Sequence, residues 1–351
     1  MKKLLLTSAL AGATLVASNA IAQTTVSGNL DIAFKAISSK KVTDDSGNSH
    51  QGFGKEAQIN IQTKGKLNNG MDYAAGFSLE DDGNTSGSST GTNFNENTFI
   101  DFISGNTTIT VGMDHIQNSD RTAANFLGLI AEDLTGTTHT GITTDGFLAD
   151  VGADPAQSFG AGIMQKSPVG TFSAFYTPNN SRHTGVYGGD DQASDTADES
   201  AYEIGFVGDL GVKGLNVHAF INEENKIGGD TRKVKGENLG ASYNFGQVTA
   251  GLNYKKTEQG KVATDTVALG ETEQMEFGLA YALTPNLTIG ANYTKADHDF
   301  ATHVDAKSKS IAVGYNLGAV ALTAQAAKLE NYDFTSGTDA DVLYLRASTK
   351  F

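Results

Sequence analysis

The sequence predicts an all-β fold, a 16-stranded antiparallel transmembrane β-barrel. Apolar and polar residues alternate with period two along most of the 351-residue chain, so the two faces of its strands meet different solvents. Tight turns alternate with long polar segments, which is typical of barrels in the bacterial outer membrane. No apolar run approaches the roughly 18 to 20 residues that a membrane-spanning helix needs.

The alternation is clearest in 248–255, where Val248, Ala250 and Leu252 share one face and Thr249 and Asn253 share the other. In chain order, we predict strands over residues 24–37, 55–67, 71–81, 96–104, 107–114, 156–167, 170–178, 200–208, 215–223, 235–245, 248–258, 272–283, 287–296, 307–317, 319–330 and 340–351. The segment 99–103 is apolar on both faces, so we expect a loop inside the barrel to cover it.

Two kinds of connection join these strands. The tight turns suit two- to four-residue hairpin loops and lie at 68–70, 167–170, 245–247, 284–286 and 317–318. The long polar segments are 38–53, 83–95, 179–199, 224–233, 258–271, 296–306 and 331–339. A soluble β-sandwich or β-helix would also alternate, but the aromatic residues beside the short turns favour a membrane interface: Tyr243, Phe245, Tyr254, Tyr281, Tyr293 and Tyr315.

The first 22 residues are predicted to be a secretory signal peptide. Lys2 and Lys3 precede a short apolar stretch, and residues 20–22 read Ala-Ile-Ala, a small-residue cleavage site. The expected organisation is a signal peptide over 1–22, cleaved near Ala22, and one barrel domain over 23–351.

The composition excludes several other classes of protein. The chain has no Cys, which rules out disulfides and thiolate metal sites. It has 25 basic and 40 acidic residues, a net charge of −15, which argues against a nucleic-acid partner.

Four segments of the chain resemble the trimeric porins of Gram-negative bacteria. They are 25–31 at the first strand, 104–112 at the fourth hairpin, 167–172 at the seventh strand and 343–351 at the closing strand. The terminal Phe351, with Leu343 and Leu345 on the same face, matches the assembly signal of that family. The chain departs from the family pattern in two places that bear on the narrowest part of the pore. Met113-Asp114 follows Gly112 where members often carry Arg, and the Pro-Glu-Phe-Gly stretch of enteric porins is missing.

The resemblance implies a general diffusion porin, a passive outer-membrane channel for small hydrophilic solutes and ions. It also implies a homotrimer, with contacts through the first and last strands and the second outer loop, surrounded by outer-membrane lipid and lipopolysaccharide. The long third loop, 115–155, would fold into the lumen and narrow it.

Charged residues at that constriction are the predicted functional site. The third loop and its start supply the acidic candidates Asp114, Asp120, Glu132 and Asp133. The parity of a residue in its strand, that is, whether it falls on the inward or the outward face of the alternation, supplies the basic wall candidates. They are Lys35, Lys64, Lys66 and Arg346. Carboxylates in a narrow pore favour cations, so we expect weak to moderate cation preference. The alternative is that these acids are ordinary solvated surface charges.

Other functions have weaker signals. We expect no cofactor; Asp190, Asp191 and Asp195 are weak candidates for structural calcium or magnesium in an outer loop. A substrate-selective channel stays open, with Phe175 and Phe220 as its lumen-facing aromatic residues. An adhesin or receptor acting through the outer loops stays open too. No nucleophile with a base and an orienting group is recognisable, so we do not expect an enzyme.

Overall fold

The computed structural model shows one closed barrel. It describes residues 23–40, 49–81, 96–113, 115, 159–178, 200–225, 233–259, 270–299, 303–332 and 334–351. Consecutive strands pair around the wall and β1 pairs with β16, so all neighbouring strands are antiparallel. In the part of the chain that the structure describes, no helix is long and apolar enough to cross a membrane. The predicted 16-stranded antiparallel barrel is confirmed.

The strands are β1 (Gln23–Lys40), β2 (Ser49–Lys66), β3 (Asp72–Asp81), β4 (Glu96–Ser104), β5 (Thr107–Gly112), β6 (Gly160–Ser167), β7 (Gly170–Thr177), β8 (Ala201–Gly208), β9 (Leu215–Glu224), β10 (Val234–Asn244), β11 (Val248–Gln259), β12 (Glu271–Thr284), β13 (Leu287–His298), β14 (Ala306–Asn316), β15 (Val320–Glu330) and β16 (Asp339–Lys350). Most predicted boundaries agree within one or two residues. The largest difference is β2, which begins at Ser49 rather than 55, because 49–54 pairs with β1 despite its weak apolar pattern.

Alternate side chains of each strand point to opposite sides of the wall. On β12, Met275, Phe277 and Leu279 are exposed on the outer surface, whereas Gln274 and Glu276 face the interior and are buried. A water-soluble protein would bury the first set and expose the second. The outer surface therefore suits lipid and the inner surface suits polar contacts.

An apolar band with a charged upper border surrounds the outside of the wall. On β12 the exposed apolar residues run from Met275 to Leu283. At about 3.3 Å per residue and a tilt of about 40°, this run covers roughly 20 Å of height. Beyond it, towards the long loops, Lys256 forms ion pairs with Glu258 at 2.8 Å and Glu271 at 3.0 Å.

Two of the short turns share one local arrangement. In each, an asparagine side chain accepts a hydrogen bond from the backbone N–H of a glycine two residues later. The distances are 2.8 Å for Asn244 and Gly246, and 2.7 Å for Asn316 and Gly318. Both glycines have positive φ, 98° and 93°, which other residues rarely adopt. The Asn-x-Gly sequence therefore explains why these hairpins are tight.

The barrel closes where the last residue meets the first strand. Gly28 and Phe351 exchange two backbone hydrogen bonds of 2.8 and 2.9 Å. The Phe351 ring lies directly over Gly28, because a Cβ there would be 2.6 Å from its Cζ and equally close to the carbonyl oxygen of Gln58. The terminal phenylalanine therefore packs against a position that only glycine fits.

Candidate functional site

The inner wall of β9 to β12 carries a row of polar side chains. His218, Gly240, Asn253 and Glu276 lie directly across from one another on consecutive strands. The His218 Nε2–H donates to Asn253 Oδ1 at 2.9 Å and to Asn238 Oδ1 at 2.8 Å. Gly240 leaves room for the imidazole, because a Cβ there would lie 2.6 Å from Nε2. The ring is thereby fixed against the wall.

Glu276 extends this row into a charged network. It accepts hydrogen bonds from Asn253 Nδ2 at 3.1 Å and from Gln274 Nε2 at 2.5 Å. The Lys255 Nζ lies 3.4 Å from the same carboxylate. Charge-assisted hydrogen bonds of this kind are stronger than neutral ones, so this polar sector, β9 to β12, is a rigid and hydrophilic part of the interior.

An ion pair links the first and last strands on the inside. The Arg346 Nε donates to Asp31 Oδ1 at 2.8 Å, and Asp31 is 3% exposed. Lys35 lies two inward positions after Asp31 on β1, opposite Tyr344, and both side chains are fully buried. Two of the predicted basic residues, Lys35 and Arg346, are therefore close together on the inner wall.

The other two predicted basic residues lie elsewhere. Lys64 pairs with Gln23 in the β1–β2 register, 12 residues before Lys35, a separation of about 40 Å along the strand. Lys66 is exposed beside a short turn and forms a 2.6 Å ion pair with Asp72. Both lysines face inward, but the structure puts them at the opposite end of the barrel from Lys35.

The start of the long third loop is attached to the inner wall. His115 Nε2–H donates to Asp101 Oδ2 at 2.9 Å, and Thr110 donates to the other carboxylate oxygen. The His115 ring stacks on Phe99, with ring centroids 3.4 Å apart. Phe99 faces inward and is buried, although its strand is also apolar on the outside. The expected inner cover of this strand therefore includes His115.

An apolar sector occupies the inner wall of β13 to β16 and β1, near the long loops. Its buried residues are Ala33, Ile37, Ala296, Ala306, Ala327, Leu329, Ala340, Val342 and Tyr344. Phe334, from the connection between β15 and β16, packs against this surface, and Tyr332 contacts it. We predicted only a polar outer loop at 331–339. Its two aromatic residues, opposite a row of inward alanines, were the available signal.

The family comparison identifies the chain. The model of the Gram-negative porin family matches residues 7–337. The chain belongs to the Gram-negative porin family. It is therefore an outer-membrane channel protein, as the sequence resemblance implied. A sequence search of curated proteins gives no match.

Solved structures share the porin fold at low sequence identity. The anion-selective porin from Comamonas acidovorans has a TM-score of 0.66 and 16% identity, over 94% of this chain and 100% of that one. OmpT of Vibrio cholerae, in its trimer form, has a TM-score of 0.62 and 13% identity, over 94% and 99%. OmpF of Salmonella typhi, in complex with daunomycin, has a TM-score of 0.61 and 14% identity, over 93% and 97%.

The inner wall of this porin carries charges of both signs. Among the residues whose side chains the structure describes, strand register places seven acids and seven bases inside. The acids are Asp31, Glu56, Asp72, Asp101, Glu203, Glu224 and Glu276; the bases are Lys35, Lys64, Lys66, Lys166, Lys255, Arg346 and Lys350. Charges of both signs therefore line the described wall.

Several predicted residues of the porin lie outside the described part of the chain. They are the acidic candidates Asp114, Asp120, Glu132 and Asp133, the weak metal candidates Asp190, Asp191 and Asp195, and the predicted signal peptide. Phe175 and Phe220, named for a substrate-selective channel, both face inward and are 3% exposed. They lie on β7 and β9, on either side of β8.

A second charged group of the porin lies beside the connection from β13 to β14. Lys295 Nζ is 2.9 Å from both Asp297 Oδ1 and Asp305 Oδ2. A hydrogen bond with the Asp297 carboxyl group and one donated by Lys295 hold the pKa of Asp305 below its ordinary value. Asp305 is therefore ionised over the whole physiological range, and its charge helps to fix this connection.

Proposed function

We propose that this porin is a passive diffusion channel for small hydrophilic solutes and ions. The observation that carries the proposal is the polar sector, in which His218, Asn253 and Glu276 present hydrogen-bonding groups to the interior of a closed barrel. A barrel of sixteen strands is wide enough for an aqueous channel. The family and the fold support a channel rather than an enzyme.

The third loop is proposed to form the constriction and to give weak to moderate cation preference. Between 115 and 155 the sequence has six acids and one Arg. The attachment of His115 to Asp101 supports a loop that starts against the inner wall. The Comamonas porin of the same fold is described as anion-selective, so the sign of the selectivity needs a direct test.

The test is the reversal potential of the refolded protein in a planar bilayer under a KCl gradient. A potential of the cation-selective sign supports the proposal, and the triple variant Asp120→Asn, Glu132→Gln, Asp133→Asn should move it towards zero. The matched control removes the same charge from an outer loop, by Asp190→Asn, Asp191→Asn, Asp195→Asn, and should leave it unchanged. An anion-selective wild type would contradict the acidic constriction, and absence of conductance would contradict the channel.

We propose a homotrimer with its contacts around β1 and β16. The OmpT structure in trimer form supports this assembly. On the outside of the seam, Ile32, Phe34, Phe53 and Leu345 line one apolar groove. A charged substitution there, Ile32→Lys, should convert trimers to monomers on unheated gels, whereas Ile289→Lys on a distant outer face should not.

The remaining outer surface is proposed to contact outer-membrane lipid and lipopolysaccharide. The charged border above the apolar band, with Lys256 and Lys295 among carboxylates, supports contact with polar headgroups. Structural calcium or magnesium in the acidic outer loops is a further proposal. Chelation should lower the unfolding temperature if such ions are bound, and an unchanged temperature would contradict it.

A further inference from the structure

The connection from β15 to β16 turns into the barrel instead of extending away from it. Phe334 is 9% exposed, and it belongs to the same buried cluster as Leu329, Ala340 and Val342, which face the interior. Tyr332 packs beside it. An aromatic side chain on the inner wall occupies volume that water and solutes would otherwise fill.

Hydrogen bonds fix this connection in place. The Asn331 side chain donates to the carbonyl of Asp305 at 3.1 Å and accepts from the N–H of Gly337 at 2.9 Å. The Phe334 carbonyl accepts from the N–H of Val304 at 3.0 Å. The connection is therefore tied to the neighbouring β13–β14 connection as well as to itself.

The backbone at Phe334 has a strained conformation, which the contacts of this residue hold in place. Its φ is +57°, a conformation that residues other than glycine rarely adopt. Such conformations persist where the surroundings impose them, and they cluster at functional positions. The His298 and His303 rings pack against the Phe334 ring, with centroids 5.3 and 5.8 Å away. The aromatic contacts hold the side chain inward.

We propose that residues 331–332 and 334–338 form a lid that covers the β13–β16 side of the lumen and limits the size of the solutes that pass. Phe334 is its anchor. The lid blocks the apolar sector and leaves the polar sector, with His218 and Glu276, as the path for hydrophilic solutes. This inference rests on the proposed channel and names a second determinant of its selectivity.

The test measures permeation of sugars of increasing size into liposomes that contain refolded protein. One variant, Phe334→Ala, removes the anchor. A second replaces 331–338 with the chain's own tight turn Asn-Leu-Gly, as found at 316–318 between β14 and β15. Both should raise the swelling rate for large sugars relative to the smallest one, and both should raise single-channel conductance. Phe245→Ala removes the same side chain from an exposed turn at the other end and is the control.

The outcomes separate the lid from the channel. A wild type that conducts, with variants of unchanged size limit and conductance, overturns the lid and keeps the channel. A wild type that does not conduct overturns the proposed function. Folding is checked by the shift of unheated protein on gels. If Phe334→Ala does not fold, the turn replacement, which removes the whole connection with its strained residue, decides the question.

Discussion

Substitution of Gly28 by alanine tests how the barrel closes. A Cβ at this position would lie 2.6 Å from both the Gln58 carbonyl oxygen and the Phe351 ring. The ring can rotate away, but the carbonyl belongs to the β1–β2 ladder and can move only with the backbone. Overpacking of this kind costs about 1 to 3 kcal/mol. A loss of one to two kcal/mol lowers the folded-to-unfolded ratio by roughly 5- to 30-fold.

The assay is reversible urea unfolding of the purified protein in lipid vesicles, followed by the gel shift of the unheated barrel. Gly28→Ala should lower the urea midpoint, and Phe351→Leu should lower it less, because the backbone hydrogen bonds between Phe351 and Gly28 remain. The double variant Gly28→Ala, Phe351→Leu lacks the contact between the new Cβ and the aromatic ring. Its urea midpoint should therefore fall by less than the sum of the two single effects, since neighbouring sites couple. An unchanged midpoint for Gly28→Ala would refute the packing argument at the seam.

Three further predictions concern the inside and the outer end of the barrel. Asp31→Asn removes the negative charge that pairs with Arg346 and should shift the reversal potential towards anions; no shift would show that Asp31 does not face the ion path. Gly240→Ala should displace His218 from its asparagine partners and change conductance, with circular dichroism as the check on folding; unchanged conductance would contradict the rigid polar sector. Asp305 has a lowered pKa, so its stabilisation is present above the ordinary aspartate pKa and is lost as pH falls through the folded value. The variant Asp305→Asn should therefore lose less stability than the wild type between pH 7 and about pH 3, a range that includes the ordinary aspartate pKa. Equal losses in the two proteins would contradict the assignment.

The wall of the barrel could be predicted from the sequence because one physical rule repeats along it. Lipid outside and polar groups inside impose period two on each strand, and the outward residues of β12 from Met275 to Leu283 are apolar at every second position. Parity also gave the inward orientation of Lys35 and Arg346. These features depend on local sequence, so they need no knowledge of distant contacts.

The arrangement of the site could not be read in the same way. Parity states which face a lysine takes but not its height, so Lys64 and Lys66 were grouped with Lys35 although the register separates them by most of a strand. Phe334 was missed because its inward position depends on alanines from three other strands, Ala296, Ala306 and Ala340. Such contacts follow from barrel closure and not from spacing.

The height of the outer apolar band has a consequence for the membrane in which the barrel is stable. A band of roughly 20 Å is shorter than the hydrocarbon layer of a typical bilayer, about 30 Å thick. A thick bilayer must thin around the wall or place Lys256 and Glu271 in hydrocarbon, at a cost for every ångström of mismatch. The bacterial outer membrane is thinner than average. The barrel should therefore refold faster into vesicles of short-chain lipids than into vesicles of long-chain lipids. The short apolar band on its strands thus favours insertion into a thin membrane.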